Sequence, residues 1–129
     1  MINGIKTGKY FSIGGGKARK SLLMADDIVT LITKSASLGG IYNVCDNHHP
    51  SFFELEQLIA QQLNKKPPKS IPYNVANLMA LAGNLLGSKV PLNSEKLTKI
   101  TKTLTFCNKK ARTQLKWEPL DVLTNFKIS

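Results

Sequence analysis

The sequence predicts an α/β chain, and three patterns carry that expectation. Apolar residues recur at helical spacing in several segments from Asp26 onwards. Short β-rich apolar runs lie between the first helices, and glycine, proline and Asn/Asp clusters mark the junctions. The order reads strand, strand, helix, strand, helix and then mainly helices, which suits an α/β or mixed α+β assembly with few short strands.

The opening "MINGIKTGKY" places Met1, Ile2 and Ile5 like the tail of a helix with no start, so further chain is expected upstream. Gly14-Gly15-Gly16 then poses a choice between a phosphate loop and a turn. A Walker loop would need glycine at Phe11 and a hydroxyl at Ala18, and a dinucleotide fingerprint would need glycine at Arg19. Neither pattern is met. The glycines therefore read as a turn ahead of a short apolar strand, Leu22-Leu23-Met24. Asp26 is the expected N-cap of a helix with Ile28, Leu31 and Ile32 on one face.

A strand is expected over Ile41 to Cys45, then a polar loop from Asp46 to Pro50. Ser51 and Glu54 have the spacing of a capping box, and the helix behind them carries Leu55, Leu58, Ile59 and Leu63 before dying at Asn64 and Pro67-Pro68. Ile71-Pro72 reads as extended. From Asn74 a very apolar helix, core or interface, runs to about Leu86 and stops at Gly87; Pro91 and Ser94 introduce the next, with Leu97 and Ile100. Leu104 to Phe106 suggests a strand, Asn108 a cap for "KKARTQLKW", and "EPLDVLTNFKIS" a proline turn with an apolar tail.

At 129 residues, 42% hydrophobic and 20% charged, the chain is expected to form one segment over 1–129 with a true core and no disorder. No apolar stretch approaches the ~20 residues of a membrane span, and the N-terminus lacks the features of a secretory signal, so the cytoplasm is the default. There, Cys45 and Cys107 are expected as free thiols.

The net charge of +10 asks for an anionic partner or a solvated cationic surface. Arg19 and Arg112 are the only arginines, and the lysines fall in small groups without interleaved aromatics. That pattern disfavours base reading and base stacking. A free-standing basic module for nucleic acid or another polyanion stands as the alternative reading. His48 and His49, with Cys45 and Asp46, are the sole cluster of metal-ligand types, and without a second pair they read as a polar loop and no metal site. Asp26 and Asp27 fit capping and the helix dipole. No nucleophile elbow is present.

Taken in order, "YFSIGGGKARKSLLMADDIVTLI", "GIYNVCDNHHPSFFELEQLIAQQL" and "PLNSEKLTKITKTLTFCNKKARTQLKWEPL" resemble the C-terminal portion of the NAD-dependent epimerase/dehydratase family, the extended short-chain dehydrogenases such as UDP-glucose 4-epimerase. The resemblance covers nearly the whole chain. It implies the substrate-binding, C-terminal part of that fold in a parent isomerase, dehydratase or reductase acting on nucleotide sugars, as in polysaccharide biosynthesis. NAD(P) would be held by an N-terminal Rossmann half. That half's glycine fingerprint and Tyr-x-x-x-Lys pair do not occur here: the residues four places after Tyr10, Tyr42 and Tyr73 are Gly14, Asp46 and Asn77. The segment alone is accordingly expected to bind no cofactor, carry no catalytic residue and be inactive. The family's diphosphate-contacting arginine falls on Lys20, with Arg19 beside it, so Arg19 and Lys20 are the expected substrate-binding residues, toward a UDP-sugar. No nucleic-acid partner and no membrane span are implied. Self-association through apolar surface left uncovered around Val75 to Leu86 is expected.

Overall fold

The computed structural model describes residues 1–86 and 92–128. Among them, seven helices and one two-stranded sheet make a mixed α/β fold. In order these are α1 (Ile2–Lys6), β1 (Ser12–Ile13), α2 (Ala25–Ser35), α3 (Phe52–Gln62), β2 (Ser70–Ile71), α4 (Tyr73–Leu86), α5 (Ser94–Thr101), α6 (Lys109–Leu115) and α7 (Val122–Asn125). The chain divides into two compact units, Met1–Ala18 with Ser51–Thr103, and Arg19–Pro50 with Leu104–Ser129. The expected helix stop at Gly87 and helix introduction at Pro91 lie outside the described residues.

In the first unit the capping box forms as its spacing requires. Ser51 Oγ accepts the Glu54 N–H at 3.2 Å, and the Glu54 carboxylate accepts the Ser51 N–H at 2.8 Å, so two donors at the start of α3 are satisfied reciprocally. The helix ends at Leu63, and Asn64 takes a left-handed φ of 53°, a conformation asparagine tolerates better than most residues. β1 pairs with β2 in parallel, Ser12 opposite Ser70 and Ile13 opposite Ile71. Ile13 and Ile71 pack with Leu92 against the buried Ala76, Ala80 and Leu97. Among the described side chains of α4, those in this core are the small Ala76 and Ala80. Its larger apolar side chains, among them Val75, Leu78, Met79 and Leu81, are at least half exposed or nearly so.

α3 buries a residue that hydropathy assigns to the outside. Glu56 is 3% exposed, and its Oε1 accepts the Tyr10 hydroxyl at 3.0 Å. Burial raises the Glu56 carboxyl above its ordinary value near 4.5, with Ser12 and the Tyr10 hydrogen bond acting in the opposite sense. The Ser12 hydroxyl is close enough to favour the carboxylate but does not meet hydrogen-bond geometry. Burial, helped by the neighbouring Glu56, also pushes the Tyr10 phenol strongly up, so it stays a donor.

In the second unit the three short strands expected from the sequence are reduced to scattered backbone pairing. Leu104 N–H donates to Arg19 O at 2.9 Å, Ser21 N–H to Leu104 O at 3.1 Å, and Asp46 N–H to Leu22 O at 2.7 Å. Lys20 and Leu104 form an isolated parallel bridge. None of the runs 22–24, 41–45 and 104–106 is a regular strand; the pairing there is limited to these few bonds and the isolated bridge at Leu104. The cap of α2 also differs from expectation. Met24 is the N-cap, and Asp26 and Asp27 lie in the first turn. Asp27 is 4% exposed, with Oδ1 accepting the Trp117 indole N–H at 3.0 Å and Oδ2 accepting the Leu120 N–H at 3.1 Å. That anchorage rotates α2 so that Asp27 and Leu31 face inward, while Ile28 and Ile32, expected on the buried face, are 46% and 63% exposed. Leu31, Ala111, Leu115 and Trp117 form the core, flanked by Leu23, Tyr42 and Val44.

Asn108 precedes α6 as expected but does not cap it with its side chain. Its amide donates instead to Cys45 O at 2.7 Å and Asn47 Oδ1 at 2.9 Å. The C-terminal stretch expected as a turn and tail contains α7, capped by Asp121 Oδ1 accepting the Thr124 N–H at 2.8 Å.

Two stability outcomes are expected. Asp27→Ala leaves the Trp117 and Leu120 donors without their acceptor and destabilises by roughly 2–5 kcal/mol, whereas Trp117→Phe in the Asp27→Ala background costs much less than in the wild type; a urea-denaturation double-mutant cycle that comes out additive refutes the coupling. For Glu56, the folded carboxyl is raised, so between about pH 4.5 and its folded value the native state binds more protons than the unfolded one. Stability therefore falls as pH rises through that window. Glu56→Gln is expected to flatten the fall; parallel urea-midpoint profiles for the two proteins count against it.

Candidate functional site

The glycine run closes a single 3-10 turn, Gly14–Gly16, after β1. All three residues have positive φ, at 59°, 73° and 64°, a region in which a side chain is strained. At Gly16 there is a second constraint, because a Cβ would lie 2.6 Å from the Phe53 amide nitrogen in the first turn of α3. Gly15 meets nothing within 4 Å. The turn's role is thus conformational and, at Gly16, a close approach to a helix backbone. The chain does not pass from the turn directly into a helix, since α2 begins only at Ala25, so the turn is not the loop-to-helix junction of a phosphate-binding or dinucleotide motif.

Arg19 and Lys20 lie in the extended segment of the second unit. Lys20 N–H donates to Pro50 O at 3.1 Å. Arg19 is exposed, and its Nη1 donates to His49 O at 3.0 Å, which fixes one nitrogen of the guanidinium fork against a backbone carbonyl. Lys20 is half-buried.

The structure gathers around Arg19 a group that the sequence spacing did not connect. Asp46 is 0% exposed; its Oδ1 accepts the His49 N–H at 3.0 Å and stabilises the left-handed His49, whose φ is 51°. Asp46 Oδ2 is buried with no hydrogen-bond partner. Ser21 Oγ accepts the Phe106 N–H at 2.8 Å and lies 3.2 Å from His49 Nδ1. Asp46 Oδ1 is 3.9 Å from the same ring nitrogen. A relay needs the hydroxyl and the carboxylate on opposite nitrogens of the imidazole, so this trio is no activated nucleophile. It is a positioning device that holds the 46–50 loop, and with it the carbonyl that anchors Arg19. The one sequence signal for it was the Asp46 to Pro50 turn chemistry.

Around His48 and His49, no group of three His, Cys, Asp or Glu side chains able to hold a metal occurs among the described residues. Cys45 is buried, with Sγ donating to Phe106 O at 3.3 Å, and burial pushes its thiol up; Cys107 is exposed, and both are free. No helix among the described residues is long and apolar enough to cross a membrane.

No family model matches the chain, and no curated protein matches it. Among solved structures, the crystal structure of gox2253 shares the fold, with a TM-score of 0.65 at 20% identity. The match covers 92% of this chain and 38% of that one, so the chain spans well under half the length of its structural neighbour. What this defines is an α/β chain with the fold of a part of a larger protein.

The two glycine positions give a separable test. Gly16→Ala combines a left-handed conformation with a backbone clash and is expected to cost more than about 2 kcal/mol, while Gly15→Ala carries only the conformational strain, about 1 kcal/mol. Equal shifts in thermal midpoint would show that the Gly16 to Phe53 approach is not tight.

Proposed function

We propose that this chain is the substrate-binding segment of an NAD-dependent nucleotide-sugar epimerase, dehydratase or reductase, working in the cytoplasm on a UDP-sugar. The observation that carries the reading is Arg19: an exposed guanidinium, held on a His49 carbonyl, beside Lys20 and in the motif order that resembles this family. A planar guanidinium suits a diphosphate, which presents paired oxygens to it. The likeness in fold to part of a larger protein is consistent with this reading, as are the apolar side chains exposed along α4 and α2, which suit burial against more protein or against a second copy.

The residues present do not fit NAD. The glycine turn does not lead directly into a helix, the next along the chain beginning only at Ala25, and the sequence holds no Tyr-x-x-x-Lys pair. In this reading the chain's own contribution is to bind and orient the diphosphate, which keeps its charge while the sugar reacts. Its contacts then act alike on ground and transition states.

The test is kinetic, on the enzyme that joins this segment to its cofactor half. Arg19→Ala/Lys20→Ala removes charge-assisted hydrogen bonds at a solvent-exposed site, and KM for the nucleotide sugar is expected to rise roughly tenfold or more with kcat and NAD affinity little changed. An unchanged KM refutes the assignment. Calorimetry on the 129-residue chain alone is expected to show no saturable NAD binding; tight binding there would overturn the division of labour.

A further inference from the structure

The first unit contains a cavity of about 230 Å³ that the reading above does not use. It lies between the α1 to β1 connection and the Lys65–Lys69 segment that leads into β2. Ile5, Phe11, Pro67 and Pro68 supply apolar walls. Ile5 is buried, whereas Phe11 is 50% exposed, a large aromatic face left in water at the cavity edge. Lys66 and Lys69 line the same space, and none of the lining residues is acidic. Among the described residues, neither lysine ammonium has a hydrogen-bond or ion-pair partner.

The backbone on both sides of the cavity is tied in place by hydrogen bonds. Ser12 N–H donates to Lys69 O at 3.0 Å, tying the two sides of the cavity together at the edge of the sheet. Lys9 N–H and Tyr10 N–H both donate to Gly4 O, at 2.9 and 3.1 Å, which sets the approach to Phe11. Tyr10, also part of the lining, has its hydroxyl held by the buried Glu56. Two proline rings restrict the opposite wall. The backbone of such a site needs little reorganisation for a ligand.

We propose that this cavity binds a small anion that carries one flat ring, of the aryl phosphate type. Lys66 and Lys69 neutralise the anionic group, and the ring is taken by Phe11 with Pro67 and Pro68. A ring is required because bare charge would leave the aromatic and proline surface in water. An anion is required because two unpaired cations face a space with no carboxylate. The volume limits the occupant to a single ring with its charged group, since drug-sized ligands fill cavities of about 300 Å³ and more.

The probe is phenyl phosphate, titrated calorimetrically into the 129-residue chain, with inorganic phosphate and benzyl alcohol as the charge-only and ring-only controls. Phenyl phosphate is expected to bind at least about tenfold more tightly than either control, because the charge-assisted and apolar contributions reinforce each other. Lys66→Ala/Lys69→Ala, at two exposed positions, is expected to weaken phenyl phosphate at least tenfold. Phe11→Ala is expected to erase its advantage over inorganic phosphate while leaving inorganic phosphate unchanged. Arg19→Ala/Lys20→Ala is expected to bind it as the wild type does, which separates this site from the proposed diphosphate contact. Four results overturn the proposal: no saturable phenyl phosphate binding, equal affinity for inorganic phosphate, wild-type affinity in the double lysine variant, or loss of binding in the Arg19/Lys20 variant.

Discussion

Asp27 sets the arrangement of the second unit. A carboxylate buried this completely needs its oxygens occupied, and the indole N–H of Trp117 and the backbone N–H of Leu120 occupy both. These partners lie far along the chain, so one charged group fixes the start of α2 against the segment that leaves α6. The consequences are structural and specific. Leu31 turns inward to meet Ala111, Leu115 and Trp117, and the remaining apolar residues of α2 turn outward. An apolar residue at position 27 would bury well enough, but it would leave two donors unsatisfied and the rotation of α2 undetermined.

The first unit contains a counterpart in Glu56. There the buried carboxyl meets a tyrosine hydroxyl, and burial raises its pKa. The comparison shows how one chemical group takes two structural roles. Asp27 gathers two N–H donors, one on each oxygen. Glu56 has a single hydroxyl donor, with the Ser12 hydroxyl nearby and outside hydrogen-bond geometry, so its charged form is less well compensated.

In the proposed reading, function and packing meet in the loop from Asp46 to Pro50. The left-handed His49 is held by the Asp46 side chain, and its carbonyl in turn holds Arg19. A guanidinium on an exposed extended segment would otherwise sample many rotamers, and one backbone acceptor narrows them before a ligand arrives. The unpaired Asp46 Oδ2 is the unresolved electrostatic cost of that arrangement.

Much of the fold was legible in the sequence because it depends on local chemistry. The Ser51 and Glu54 capping box, the end of α3 at Asn64, the glycine turn and the extended Ile71 follow from groups a few residues apart. The helical character of Asn74 to Leu86 was equally plain from its composition. The fold class also followed from the order of elements. What local chemistry could not supply was the choice of partner across long sequence separations. Whether an acidic residue is inside or outside depends on donors brought from elsewhere, as Trp117 is brought to Asp27 and Tyr10 to Glu56. Whether an apolar run becomes a strand depends on how many ladder bonds its neighbours offer, and Leu22–Met24 and Leu104–Phe106 are offered too few. Arg19 and Lys20 were identifiable as cations next to a turn. That one of them, Arg19, is anchored by His49 was decided by tertiary structure, because a side chain's acceptor is a property of the folded neighbourhood and not of the residue.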